Sequence, residues 1–143
     1  MNPTVCLDAS AMVTWVIQEP GWKTVDRLLT DQAVDVVLPG PAITETINKA
    51  REKGNRGTPR EILEAFQGYG AYVEHPTDDD LVRAAELLEA SVEHPGPRGE
   101  TLSLGDALIL AVTERLGCPV LSRDRYWELL AVDEQTVANV HQY

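Results

Sequence analysis

Short apolar runs alternate with longer amphipathic segments along this chain, and that alternation constrains its fold more than any other feature. Thr4-Val5-Cys6-Leu7 is apolar, partly β-branched and stops at Asp8, the pattern of a short buried strand. Val34–Leu38, Ala71–Glu74, Pro119–Ser122 and Thr136–Val140 repeat it. Between these runs lie segments with helical spacing: Ser10–Ile17, closed by Glu19-Pro20-Gly21; Trp22–Leu29; Ala42–Lys53, with Ile43, Ile47 and Ala50 on one stripe; and Thr58–Phe66. Leu81–Val92, Ser103–Leu116 with Gly117 as its stop, and Arg123–Leu130 complete the set. Pro39-Gly40-Pro41 reads as a turn, Gly54 to Gly57 as a break and Asp78-Asp79-Asp80 as a helix cap. Helices and strands in alternation, joined by short loops, predict an α/β fold. The expected form is a three-layer α/β/α sandwich around a mostly parallel sheet.

Length and composition agree with that reading. The 143 residues are expected to form a single domain, 1–143, and 43% hydrophobic against 24% charged residues is a globular balance. Two cysteines, Cys6 and Cys118, cannot build a disulfide framework, so a reducing, cytoplasmic setting is expected. No apolar stretch approaches the ~20 residues of a membrane helix, and Met1-Asn2-Pro3-Thr4 lacks a basic leader. No membrane partner is expected.

The net charge is −11, which argues against a passive nucleic-acid coat protein. The charge is unevenly spread. Residues 49–60 hold five of the twelve basic residues and one acid, and the other 131 residues carry −15. The patch reads either as a solvated helix end or as a phosphate-contact surface, with Arg51, Lys53, Arg56 and Arg60 as its cations.

Four acids stand where an open parallel sheet binds ligands or on the helices beside it. Asp8 follows the first strand, Asp124 follows Val120-Leu121-Ser122, and Glu45 and Asp106 lie on apolar helices. Each also has an ordinary local explanation. Asp8 and Asp124 suit helix caps, Ser103-x-x-Asp106 has the form of a capping box, and Glu45 can pair with Lys49 one turn on. Gathered in one pocket, four carboxylates would raise each other's pKa unless a cation offset them. Mg²⁺ and Mn²⁺ favour such oxygen donors and serve phosphoryl chemistry. His75, His94 and His141 lie far apart and away from any Cys pair, and neither a nucleophile elbow nor a glycine-rich phosphate loop is present.

Four segments together carry a specific resemblance. Leu7-Asp8-Ala9-Ser10-Ala11, Thr44-Glu45-Thr46-Ile47-Asn48, Ser103-Leu104-Gly105-Asp106-Ala107-Leu108-Ile109-Leu110-Ala111 and Val120-Leu121-Ser122-Arg123-Asp124 resemble the signatures of PIN-domain ribonucleases, in that family's order. A chain of this length looks most like a VapC-type toxin of a type II toxin–antitoxin pair. The resemblance implies a Mg²⁺- or Mn²⁺-dependent endoribonuclease, an RNA substrate, homodimerisation and silencing by a cognate VapB-type antitoxin. It casts Asp8, Glu45, Asp106 and Asp124 as the catalytic and metal-binding acids, with Ser10, Asn48 and Ser122 as supporting polar residues. Ser122 stands where Thr is more common, a change that keeps the hydroxyl.

Three other functions fit the sequence less well. A dehalogenase-like phosphatase wants a second acid two residues after the first, where this chain has Ser10. A receiver domain needs an acid after its central strand and a late lysine; Val36-Val37-Leu38-Pro39-Gly40 supplies no acid, and the only lysines are Lys23, Lys49 and Lys53. A non-catalytic PIN module acting by RNA or protein binding would be marked by a lost acid, and all four are present.

Overall fold

In the computed structural model, which describes residues 1–143, the five apolar runs form five strands that all pair in parallel. They are β1 (Thr4–Leu7), β2 (Asp35–Pro39), β3 (Tyr72–Glu74), β4 (Pro119–Leu121) and β5 (Asn139–His141). Parallel neighbours require crossovers, and each is helical. Helices α1 (Ala9–Val16) and α2 (Trp22–Thr30) join β1 to β2; α3 (Gly40–Glu52) and α4 (Pro59–Gln67) join β2 to β3. Helices α5 (Asp78–Glu93) and α6 (Leu104–Leu116) join β3 to β4, and α7 (Arg125–Val132) joins β4 to β5.

Successive strand residues point to opposite faces. Cys6 and Leu7, Val36 to Leu38, and Val120 and Leu121 are nevertheless all buried, so both faces of the sheet are covered. One core cluster of 29 buried residues results, with Trp127, Phe66, Leu38, Ile109 and Leu110 among its largest members.

Strand order places the site. The sheet reads β3-β2-β1-β4-β5, so the chain builds outward from β1 to β3, then returns to add β4 and β5 on the other side. The order therefore reverses between β1 and β4, and the helices that follow those two strands leave a crevice at their carboxyl ends. The register sets Leu7 opposite Leu121, and the Asp8 N–H donates to the Leu121 carbonyl at 3.2 Å.

Three local expectations are corrected. Pro39-Gly40-Pro41 is not a turn: β2 runs through Pro39 and α3 begins at Gly40, because a proline in the first turn of a helix lacks only an N–H that would have no partner there. Thr77, not the Asp78-Asp79-Asp80 run, caps α5. Its hydroxyl accepts from the Asp80 N–H at 3.2 Å, while its own N–H donates to Asp80 Oδ2 at 2.9 Å. The last strand starts at Asn139 instead of Thr136, whose hydroxyl donates to Glu114 Oε2 at 2.6 Å and holds that segment off the sheet.

Candidate active site

Asp8 follows β1 and caps α1, and its carboxylate accepts three short bonds. Oδ1 accepts from the Ala11 N–H at 2.8 Å and the Ser10 hydroxyl at 2.7 Å; Oδ2 accepts from the Ser122 hydroxyl at 2.6 Å. Only 3% of Asp8 is exposed. Burial pushes its pKa up to about 6, against the pull of the Ser122, Ala11 and Ser10 hydrogen bonds; the charge of Asp106 adds a smaller push upward. Ser122, fully buried at the end of β4, also accepts the Asp124 N–H at 3.0 Å, and Ser10 accepts the Arg123 N–H at 3.0 Å. Two hydroxyls thus lock the loop after β4 onto the loop after β1.

Asp124 caps α7, accepting the Tyr126 N–H at 2.9 Å on Oδ1. On α6, Ser103 caps the helix by accepting the Asp106 N–H at 3.1 Å, without the reciprocal bond of a capping box. The Asp106 carboxylate lies near Ser103. Burial, followed by the charges of Asp124 and Glu45, raises its pKa, against the pull of hydrogen bonding to Ser103. Glu45 does pair with Lys49, Oε1 lying 2.9 Å from Nζ, and this bond holds the Lys49 pKa above the usual lysine range. Its other oxygen, Oε2, is buried and has no hydrogen-bond partner. Gly105 lies against it, and a Cβ at that position would stand 3.5 Å from Oε2, an ordinary contact.

The four acids thus lie in one mutual field. Asp106 feels Asp124 and Glu45, Asp8 feels Asp106, and Lys49 feels Glu45, Asp106 and Asp8. No three His, Cys, Asp or Glu side chains close into a ready-made metal cage. The donor set still suits Mg²⁺ or Mn²⁺, which take one or two carboxylates and fill their remaining positions with water and phosphate oxygens. The unpartnered Glu45 Oε2 fits the same purpose, because a buried carboxylate oxygen without a partner is costly unless something positive meets it.

Other expected residues lie elsewhere. Asn48 does not join the acids: it is exposed and donates to Glu52 Oε1 at 3.3 Å, one turn along α3. Arg51, Arg56 and Arg60 are exposed, while Lys53 is bound to Glu19 Oε1 at 2.8 Å. Sequence reasoning missed a neighbouring network. The Tyr143 hydroxyl is 2.8 Å from Thr14 Oγ1, and the Arg123 guanidinium lies over the Tyr143 ring, 4.7 Å from its centroid. Burial raises the Tyr143 pKa, with a smaller contribution from the charge of Asp8. A contact spanning 129 residues leaves no local sequence signal; only Gly21, against which Arg123 and Tyr143 both pack, hinted at a close approach.

A family model of the PIN domain matches residues 5–133. No curated protein matches the chain by sequence. Among solved structures, it resembles VapBC2 from Rickettsia felis bound to a DNA fragment from their promoter, with a TM-score of 0.68, 10% identity and 98% of each chain covered. VapBC-1 from nontypeable Haemophilus influenzae gives 0.66, 12% identity and 97% of each chain. VapC20 from Mycobacterium tuberculosis, described as a sarcin–ricin loop cleaving toxin, gives 0.61 and 21% identity over 81% of this chain and 86% of that one. At these identities the likeness is one of fold.

Proposed function

The chain belongs to the PIN-domain family, and on that premise we propose that it is a metal-dependent endoribonuclease acting as the toxin of a type II toxin–antitoxin pair. What supports this reading is the upward push that Asp8 takes from the charge of Asp106, and Asp106 from those of Asp124 and Glu45, together with the buried, unpartnered Glu45 oxygen. These four carboxylates would hold Mg²⁺ or Mn²⁺, which when bound lowers the pKa of water and offsets charge on a phosphodiester. The chain's own residues do the rest. Ser10 and Ser122 fix the orientation of Asp8, and their donated bonds favour its charged form. Lys49, held by Glu45, supplies a nearby positive charge against the acids.

A VapB-type antitoxin is the proposed partner. A groove of about 350 Å³ between α1, α2 and α4, walled by Trp15, Trp22, Ile62 and Tyr69, suits the apolar face of a partner helix. Leu81, Val82 and Val92 are exposed on α5 and support self-association as a homodimer. The proposed site of action is the cytoplasm; no helix is long and apolar enough to cross a membrane.

Purified protein incubated with a structured, loop-containing RNA tests the reading. Cleavage is expected with Mg²⁺ or Mn²⁺ and none with EDTA. Asp8→Asn and Asp106→Asn should each lower the rate by more than ~100-fold, beyond what residues merely supporting a metal ligand cost, while circular dichroism stays that of the folded protein. Near wild-type cleavage by either variant would overturn the assignment.

A further inference from the structure

Charge next to Asp124 points to where a nucleic-acid strand is held. Arg123 and Arg125 flank Asp124 in sequence, so their Cα atoms lie about 3.8 Å from that of the acid. Both line a cavity of about 380 Å³ beside the site, with Glu128, Gln142 and Tyr143. Arg125 is exposed and forms no ion pair. Arg123 has only a long contact, Nη1 to Glu19 Oε2 at 3.6 Å, and that carboxylate is already engaged by Lys53 at 2.8 Å. Two guanidinium groups therefore face one cavity without full neutralisation, in a protein whose net charge is −11.

Arg123 is also held in place. Its guanidinium stacks on Tyr143, and a Cβ on Gly21 would fall 2.6 Å from Nη2, so it lies directly on that backbone. Tyr143 is in turn anchored by its 2.8 Å bond to Thr14. The 49–60 patch compares poorly. Lys49 and Lys53 are bound by Glu45 and Glu19, and Arg51, the first unpaired arginine, sits six residues beyond Glu45, about 9 Å along the helix axis.

We propose that Arg123 and Arg125 form the subsite for the RNA backbone phosphate beside the scissile one, with Tyr143 as the positioning residue of Arg123. The proposal rests on the nuclease reading above. Guanidinium forks match phosphate oxygens in pairs, and such contacts set the strand's position without reading its bases.

The test has a binding arm and a cleavage arm. Binding of a short single-stranded RNA is measured in EDTA across a salt series, so that it does not depend on activity. Arg125→Ala is expected to weaken binding about fivefold and to reduce the salt slope by about 0.7, with Arg125→Lys recovering part of the affinity. Tyr143→Leu is expected to weaken binding in the same direction, and Arg98→Ala, an exposed arginine outside that cavity, to leave it unchanged. In the cleavage arm, Arg125→Ala should raise KM with little change in kcat. Unchanged affinity and salt slope in Arg125→Ala, or a loss seen only in Arg51→Ala and Arg56→Ala, would overturn the subsite. RNA bound through Arg125 but never cleaved with either metal would uphold the subsite and overturn the nuclease reading; no RNA binding at all would remove both.

Discussion

At the scale of single residues, the cost of burying Asp8 has a measurable consequence. Its pKa stands at about 6 in the folded protein against an ordinary 3.8. Between those values the native state holds a proton that the unfolded chain has released. Stability is therefore greatest below the unfolded pKa and falls as pH rises through about 6, by an amount on the order of 3 kcal/mol. Asp106, raised in the same direction by burial and by Asp124 and Glu45, adds to the slope. In chelator, the melting temperature of the wild type is expected to drop between about pH 4 and pH 6 more steeply than that of Asp8→Asn, and to level off above that. Parallel curves would show that Asp8 ionises freely. Asp8 and Asp124 are legible in the sequence because each follows a strand, and Asp106 because it opens a helix; Glu45 stands in the middle of α3. The sequence could not reveal that Glu45 would use one oxygen for Lys49 and leave the other buried, since burial of a single oxygen depends on tertiary packing.

At the scale of elements, the loops after β1 and β4 do the positioning, and the α1–α2 corner supports them. Gly21 opens α2 at φ +98°, and a side chain there would meet Arg123 Nη2 at 2.6 Å and Tyr143 Cδ2 at 3.2 Å. Gly54, at φ +100°, has nothing within 4 Å. Alanine at either position bears the backbone penalty of about 1–2 kcal/mol, but only Gly21→Ala must also displace the arginine. Denaturant unfolding is expected to show Gly21→Ala as the more destabilised, with weaker RNA binding as well; equal losses would mean that Arg123 is not held by that corner. Element type was readable from periodicity throughout, and the ends were less so. Pro39-Gly40 was misread because a turn signal and a strand-to-helix junction use the same residues, and only the pairing of Pro39 with Glu74 distinguishes them. Helical spacing gives the approximate face of Asn48 without saying that its amide donates to Glu52, one turn on.

At the scale of the whole molecule, the acids are held together at a cost that a divalent cation would relieve. Mn²⁺ at 100 times its dissociation constant would stabilise the native state by about 2.7 kcal/mol. The melting temperature of chelator-stripped protein at neutral pH is therefore expected to rise by several degrees on adding Mn²⁺, and to rise much less in Asp106→Asn. A wild-type curve indifferent to millimolar Mn²⁺ would count against the carboxylates as ligands. The sequence by itself determined the alternation of strands and helices, the parallel sheet that such crossovers require, and the identity and order of the four acids. These depend on periodicity, caps and breakers within a few residues of one another. Tertiary structure alone decided that β1 and β4 become neighbours across 114 residues, bringing Ser122 onto Asp8. It alone decided that Tyr143 reaches Thr14 and seats Arg123 beside Asp124. Strand order and side-chain contact arise from how the whole core closes, and no local window of the chain contains that information.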